Sequence, residues 1–125
     1  MGHINDSKEK FEKALKMREK LLKKDPFNVS YQLDIAMIIN NLGALLAIMG
    51  HFKEAKQRYE KELKIYEKLL ENDPENVTYR SYVGTTLNNI GNLLRDMGHL
   101  KVVHFYPGDV LKHLNVSRSL NCSTT

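Results

Sequence analysis

Five histidines, at positions 3, 51, 99, 104 and 113, are the side chains best suited to metal binding or proton transfer. Their spacing argues against either role. His3, His51 and His99 each follow Met-Gly and lie 48 residues apart, so they are one position written three times. A zinc site needs three or four converging ligands, and no Cys, Asp or Glu joins His99 and His104 at ligand spacing. The lone cysteine, Cys122, excludes an intrachain disulfide and a thiolate cluster. The carboxylates fall near lysines at helical spacing, as Glu12 with Lys16 and Glu60 with Lys64. Such pairs are solvated helix faces worth about 0.2–0.5 kcal/mol each. No glycine-rich phosphate loop and no Gly-x-Ser-x-Gly elbow is present. Neither catalysis, nor a metal, nor a cofactor is expected.

What remains for chemistry is charge and amide hydrogen bonding. The net charge is +4, with a pI of about 9.1. The N-terminal segment concentrates it: Lys8, Lys10, Lys13, Lys16, Arg18, Lys20, Lys23 and Lys24 stand against Glu9, Glu12 and Glu19. Its exposed positions carry no aromatics to stack bases. An acidic protein surface is therefore favoured over nucleic acid. Four Asn-x-Ser/Thr triplets start at Asn28, Asn76, Asn115 and Asn121. Without a secretory signal they read as helix caps and tail. No apolar run of about 18–20 residues is expected to span a membrane, so a cytoplasmic protein without a membrane partner is the expectation.

The elements that position these groups come from an internal repeat. Residues 1–48 share 22 identities with the residues 48 positions later, without a gap. Asp25-Pro26-x-Asn28-Val29-Ser30-Tyr31 returns as Asp73-Pro74-x-Asn76-Val77-Thr78-Tyr79, and Asn40-Asn41-Leu42-Gly43 as Asn88-Asn89-Ile90-Gly91. Apolar residues recur with helical period. One stripe is Phe11, Ala14, Leu15, Arg18, Leu21 and Leu22, and another Ile35, Ile38, Ile39, Leu42, Leu45, Leu46 and Met49. A third is Tyr59, Leu63, Tyr66, Leu69 and Leu70. The fourth is Tyr82, Val83, Leu87, Ile90, Leu93, Leu94 and Met97. Met-Gly-His offers a left-handed glycine to end a helix. Asp-Pro ends the other kind, since the residue before proline leaves the α region. Asn28 or Ser30, and Asn76 or Thr78, then cap the next start. The pattern predicts helices at about 5–24, 29–49, 53–72 and 77–97, joined by links short enough to force antiparallel neighbours.

Read in order, Ile39-x2-Leu42-Gly43-x2-Leu46, Gly50, Ala55, Tyr59 and Pro74 resemble the tetratricopeptide repeat pattern. The second copy follows through Ile90-Gly91-x2-Leu94 and Gly98. The period of 48 exceeds the usual 34. The chain is therefore most similar to the extended repeats of kinesin light chains and of prokaryotic arrays. The resemblance covers residues 1 to about 100 and implies an all-α fold of antiparallel helical hairpins, a fragment of an α-solenoid. It also implies a scaffold that binds proteins or peptides. In the family, the inward face of each hairpin's first helix lines a concave groove holding an extended peptide or a partner helix. By position that face is Met37, Asn40, Ala44 and Ala47, then Thr85, Asn88, Asn92 and Arg95. Asparagine can bond a peptide backbone without demanding a sequence, and Arg95 can clamp a carboxylate. The alternative is that the asparagines only satisfy loops and neighbouring helices.

Gly43 and Gly91 fall mid-helix, where the partner helix backbone is expected to approach closely, with Ala55 opposite. The repeat fails after Lys101: Lys101-Val102-Val103-His104-Phe105 replaces a sequence like Lys53-Glu54-Ala55-Lys56-Gln57. Residues 101–125 are thus a divergent tail, either a replacement cap or sequence read after a frameshift or recombination. Pro107-Gly108 marks a turn there, and Val110, Leu111 and Leu114 fit one helical turn. Only the hairpin 29–72 is whole, and fewer than about three repeat units are usually marginal. Self-association into a homo-oligomer through the flanking helices is the second functional expectation. Leu94→Ala is expected to cost about 2–5 kcal/mol if its stripe is buried.

Overall fold

The computed structural model describes residues 2–105, with side chains through His99. The described chain is four helices: α1 (Gly2–Lys24), α2 (Val29–Ile48), α3 (Phe52–Asn72) and α4 (Val77–Phe105). It divides into two compact units, Met1–Leu93 and a second beginning at Leu94. The described residues are all-α. The expected turn and helix within residues 106–125 lie outside the described residues, as do Cys122, His113, Asn115 and Asn121.

The two Asp-Pro links are built alike. The Asn28 Oδ1 accepts from the Tyr31 N–H at 3.0 Å, and the Asn76 Oδ1 from the Tyr79 N–H at 3.0 Å. Each asparagine also donates its Nδ2 to the aspartate three residues before it, Asp25 or Asp73, at 3.0 Å. Gln32 and Arg80, again one repeat apart, donate back to the carbonyls of Pro26 and Pro74. The caps are thus the asparagines, not Ser30 or Thr78. An amide can accept from the helix and donate to the link at once, which a single hydroxyl does less well.

The Met-Gly-His punctuation works only once. Gly50 sits at φ +82°. Its N–H reaches the Ala47 carbonyl at 3.0 Å and the His51 N–H reaches Leu46 at 2.8 Å, the paired bonds of a Schellman stop. Gly2 and Gly98 instead lie within helices. α4 therefore runs to Phe105, not to about 97. Leaving the helix at Gly50 is offset because α3 returns and buries Ala55, Tyr59 and Tyr66 against its neighbours. After Gly98 those positions read Val103, Pro107 and Leu114. The same return is not encoded, and continuing keeps the helical hydrogen bonds.

The core follows the repeat. Leu15, Ile35, Ile39 and Leu42 pack together with Phe11, Leu22, Ile38 and Ile65 around them, joining α1, α2 and α3. Ala36, Tyr66 and Leu69 form a second cluster with Leu33, Tyr79 and Val83, which brings in α4. Two stripes differ from expectation. On α3 the buried face is Ala55, Tyr59, Glu62, Tyr66 and Leu69, so Glu62 and not Leu63 holds the central place. On α4, Leu87 is 52% and Leu94 47% exposed, although their counterparts Ile39 and Leu46 are buried. The large cost expected for Leu94→Ala therefore belongs to Leu46. Leu21 and Arg18 of α1 are likewise exposed.

α2 has apolar neighbours on two flanks, and its composition reflects that. Contrary to expectation, it is by itself long and apolar enough to cross a membrane, with mean hydropathy 1.4. Ile35, Ala36, Ile39, Leu42, Gly43 and Leu46 lie in the core, while Val29, Met37 and Ile48 are exposed. At Gly43 the close neighbour is a ring, not a backbone. An added Cβ would stand 2.8 Å from Tyr59 Cε1. The equivalent Gly91 has open space around it. On the surface, Glu60 pairs with Lys56 at 3.7 Å, not with Lys64, and Glu9 pairs with Lys13.

Candidate partner-binding site

One concavity lies where α2 and α4 flank α3, and its interior measures about 270 Å³. α2 contributes Met37 and Asn40, and α4 contributes Ser81, Tyr82, Thr85 and Thr86. The floor is α3, through Glu62 and Tyr66. Three of the expected groove residues, Met37, Asn40 and Thr85, therefore meet here. Met37 is 62% exposed. Ala44, Asn88 and Asn92 are exposed and Ala47 half-buried, outside this pocket's lining. Arg95 belongs to the second unit. It is exposed there, with Nε 3.5 Å from the Asp96 carboxylate beside it.

Asn40 turns out to be committed inward. Its Nδ2 donates to Glu62 Oε1 at 3.1 Å. Glu62 is only 3% exposed and also accepts from the Tyr66 hydroxyl. Burial pushes the Glu62 carboxyl above the usual glutamate range, while the hydrogen bonds from Asn40 and Tyr66 pull it back down. The same burial raises the Tyr66 phenol, and the neighbouring Glu62 charge adds to it. Tyr59 is raised for the same two reasons, burial first. Tyr66 and Tyr82 stand with ring centroids 5.0 Å apart, tilted by 36°.

One repeat earlier, the Tyr66 and Tyr82 positions are Arg18 and Asp34. There the same helix junction is spanned by an ion pair, 3.5 Å from Arg18 Nη1 to Asp34 Oδ2. The Glu62 position is Ala14. The pocket is therefore a feature of one junction and not of the repeat as such. Glu62 was the residue that sequence reasoning missed. The signal was present: the series 55, 59, 62, 66, 69 keeps perfect helical spacing, and its one charged member sits in the middle of the buried face.

Of the repeated histidines, only His51 stands in a helix-ending turn, where its Nδ1 lies 3.7 Å from Glu54. Among the described residues, no three His, Cys, Asp or Glu side chains come together as a metal site.

Residues 35–75 match the family model described as tetratricopeptide repeat. That span holds most of α2, all of α3 and the link that follows. Over that span the chain is thus similar to a tetratricopeptide repeat. No curated protein and no solved structure matches the chain significantly.

Proposed function

We propose that this protein is a non-catalytic scaffold that holds an extended peptide or a helix of a partner protein in the groove between α2 and α4. The observation that carries this reading is the meeting of Met37, Asn40 and Thr85 around one concavity, from helices 48 residues apart in register. Its rim offers an exposed thioether for apolar contact, hydroxyls for backbone bonds, and Asn88 and Asn92 exposed further along α4. Backbone bonding with alternate side-chain contacts is how such grooves take extended peptides. The test is selection of displayed peptides on the whole chain. Selected peptides should lose at least tenfold in affinity on Met37→Glu and on Asn88→Ala. Peptides indifferent to both substitutions would remove the groove from the account.

A second reading, self-association, is favoured by a different observation. Met17 and Leu21 of α1 are 68% and 38% exposed, although Leu69, the counterpart of Leu21, is 5% exposed. Leu87 of α4 is 52% exposed where Ile39 is buried. These faces are apolar because the repeat makes them so. A second copy of the chain would cover them with the same packing that α2 and α3 use. Sedimentation analysis at rising concentration decides it: oligomers abolished by Leu87→Glu support the reading, and a concentration-independent monomer ends it.

A further inference from the structure

The groove reading leaves the chemistry of the pocket floor unused, and the following inference rests on that reading and specifies what the pocket accepts. We propose that the concavity over Glu62 takes the cationic side chain, arginine or lysine, of the bound peptide, with the Glu62 carboxylate as its counter-charge.

Carboxylates are almost never this deeply buried without a cationic partner. Among the described residues no cation pairs with Glu62; the pairs present are Lys13–Glu9, Arg18–Asp34, His51–Glu54, Lys56–Glu60 and Arg95–Asp96. A carboxylate accepts about four hydrogen bonds. Asn40 and Tyr66 supply two, which leaves acceptor capacity at a side chain that lines the pocket. The walls suit a long cation. Tyr66 and Tyr82 line it, and aromatic rings attract an ammonium or guanidinium. Met37 at the mouth suits its methylene stem. The volume of about 270 Å³ lies below that of pockets for drug-sized ligands and leaves room for a long side chain. The junction one repeat earlier already accommodates a guanidinium of the chain's own, Arg18 beside Asp34. At Tyr66–Tyr82 that internal cation is absent, and the buried Glu62 lines the pocket instead.

The test is an NMR titration of the full chain with a capped Gly-Gly-Arg-Gly-Gly peptide, its lysine twin, and a neutral citrulline twin. The arginine or lysine peptide should give saturable shifts at the amides of Asn40, Glu62, Tyr82 and Thr85. The citrulline peptide should bind at least tenfold more weakly. Glu62→Gln, nearly isosteric and still able to accept from Asn40, should cost the cationic peptides at least tenfold and the citrulline peptide little. Should that variant unfold, Thr85→Arg at an exposed position serves instead: its own cation should occupy the pocket and block the peptide. Equal binding of the citrulline twin, or no saturable shift with either cation, overturns the proposal. Displayed peptides that need Met37 and Asn88 but carry no essential cation would overturn it too, while leaving the groove reading intact.

Discussion

α2 and α4 are the same helix written twice, and they end in different circumstances. Both start from an Asn cap on an Asp-Pro link, and both carry Asn-Asn, a mid-helix glycine and Leu-Leu at matching places. α2 is packed by α1 on one flank and α3 on the other. α4 differs among the described residues: its Leu87 and Leu94 are exposed, a Cβ at its Gly91 would meet nothing within 4 Å, and its Gly98 does not stop it. The lesson is that an apolar stripe states which residues want burial. Whether they obtain it depends on a neighbour encoded elsewhere in the chain.

The largest test of that contrast is a matched pair of truncations. Leu46→Ala removes a side chain that is 2% exposed and should destabilise by about 2–5 kcal/mol. Leu94→Ala, at 47% exposure, should cost under about 1 kcal/mol in the same urea titration. Equal losses would mean that α4 is covered on that face after all.

The glycine pair should differ in sign. Gly43→Ala drives a methyl into the Tyr59 ring, which is held in the core, and should destabilise by about 1–3 kcal/mol. Gly91→Ala meets nothing and gains helix propensity, so it should stabilise by up to about 1 kcal/mol. Thermal unfolding of both variants reads the difference. A destabilised Gly91→Ala would place an unseen neighbour at that site.

The caps mark where the two copies remain alike. Asn28→Ala and Asn76→Ala each lose the same bond at 3.0 Å and should each cost about 1 kcal/mol. Unequal costs would show that the links, too, have diverged.

The smallest expected effect is a pH dependence confined to the α3 junction. Glu62 is raised in the folded state, so the folded protein holds its proton to higher pH than the unfolded chain. Stability from this group is present below the ordinary glutamate pKa of 4.5 and is lost as pH rises through the raised value. Glu62→Gln should flatten the decline in urea midpoint just above pH 4.5. The phenols of Tyr59 and Tyr66, raised above 10.0, add a similar loss only in alkali. An unchanged profile in Glu62→Gln would mean that the carboxylate is solvated in both states.

The candidate groove was legible only in outline. Met37, Asn40 and Thr85 were reachable because a face repeated at a fixed period can be carried from copy to copy. Asn40 itself shows the limit: its amide is spent on Glu62, a partner 22 residues away. Spacing along one helix says which side a residue occupies, but not which group from another helix lies opposite it. The shift of the α3 stripe from Leu63 to Glu62 has the same origin, since adjacent residues lie about 100° apart and hydrophobicity alone favoured the leucine.

By itself the sequence determined the four described helices, their period and the Asp-Pro links that precede two of them, because helical hydrogen bonds and an Asp-Pro break act within a few residues. It also determined the antiparallel hairpin of α2 and α3, because a short link and two facing stripes leave little else. Only the tertiary structure decided that Gly50 stops a helix and Gly98 does not, that Gly43 makes room for Tyr59, and that a buried acid lines a pocket with two tyrosines. Each of these depends on what another helix presents at contact distance, and that energy is not stored in any local stretch of the chain.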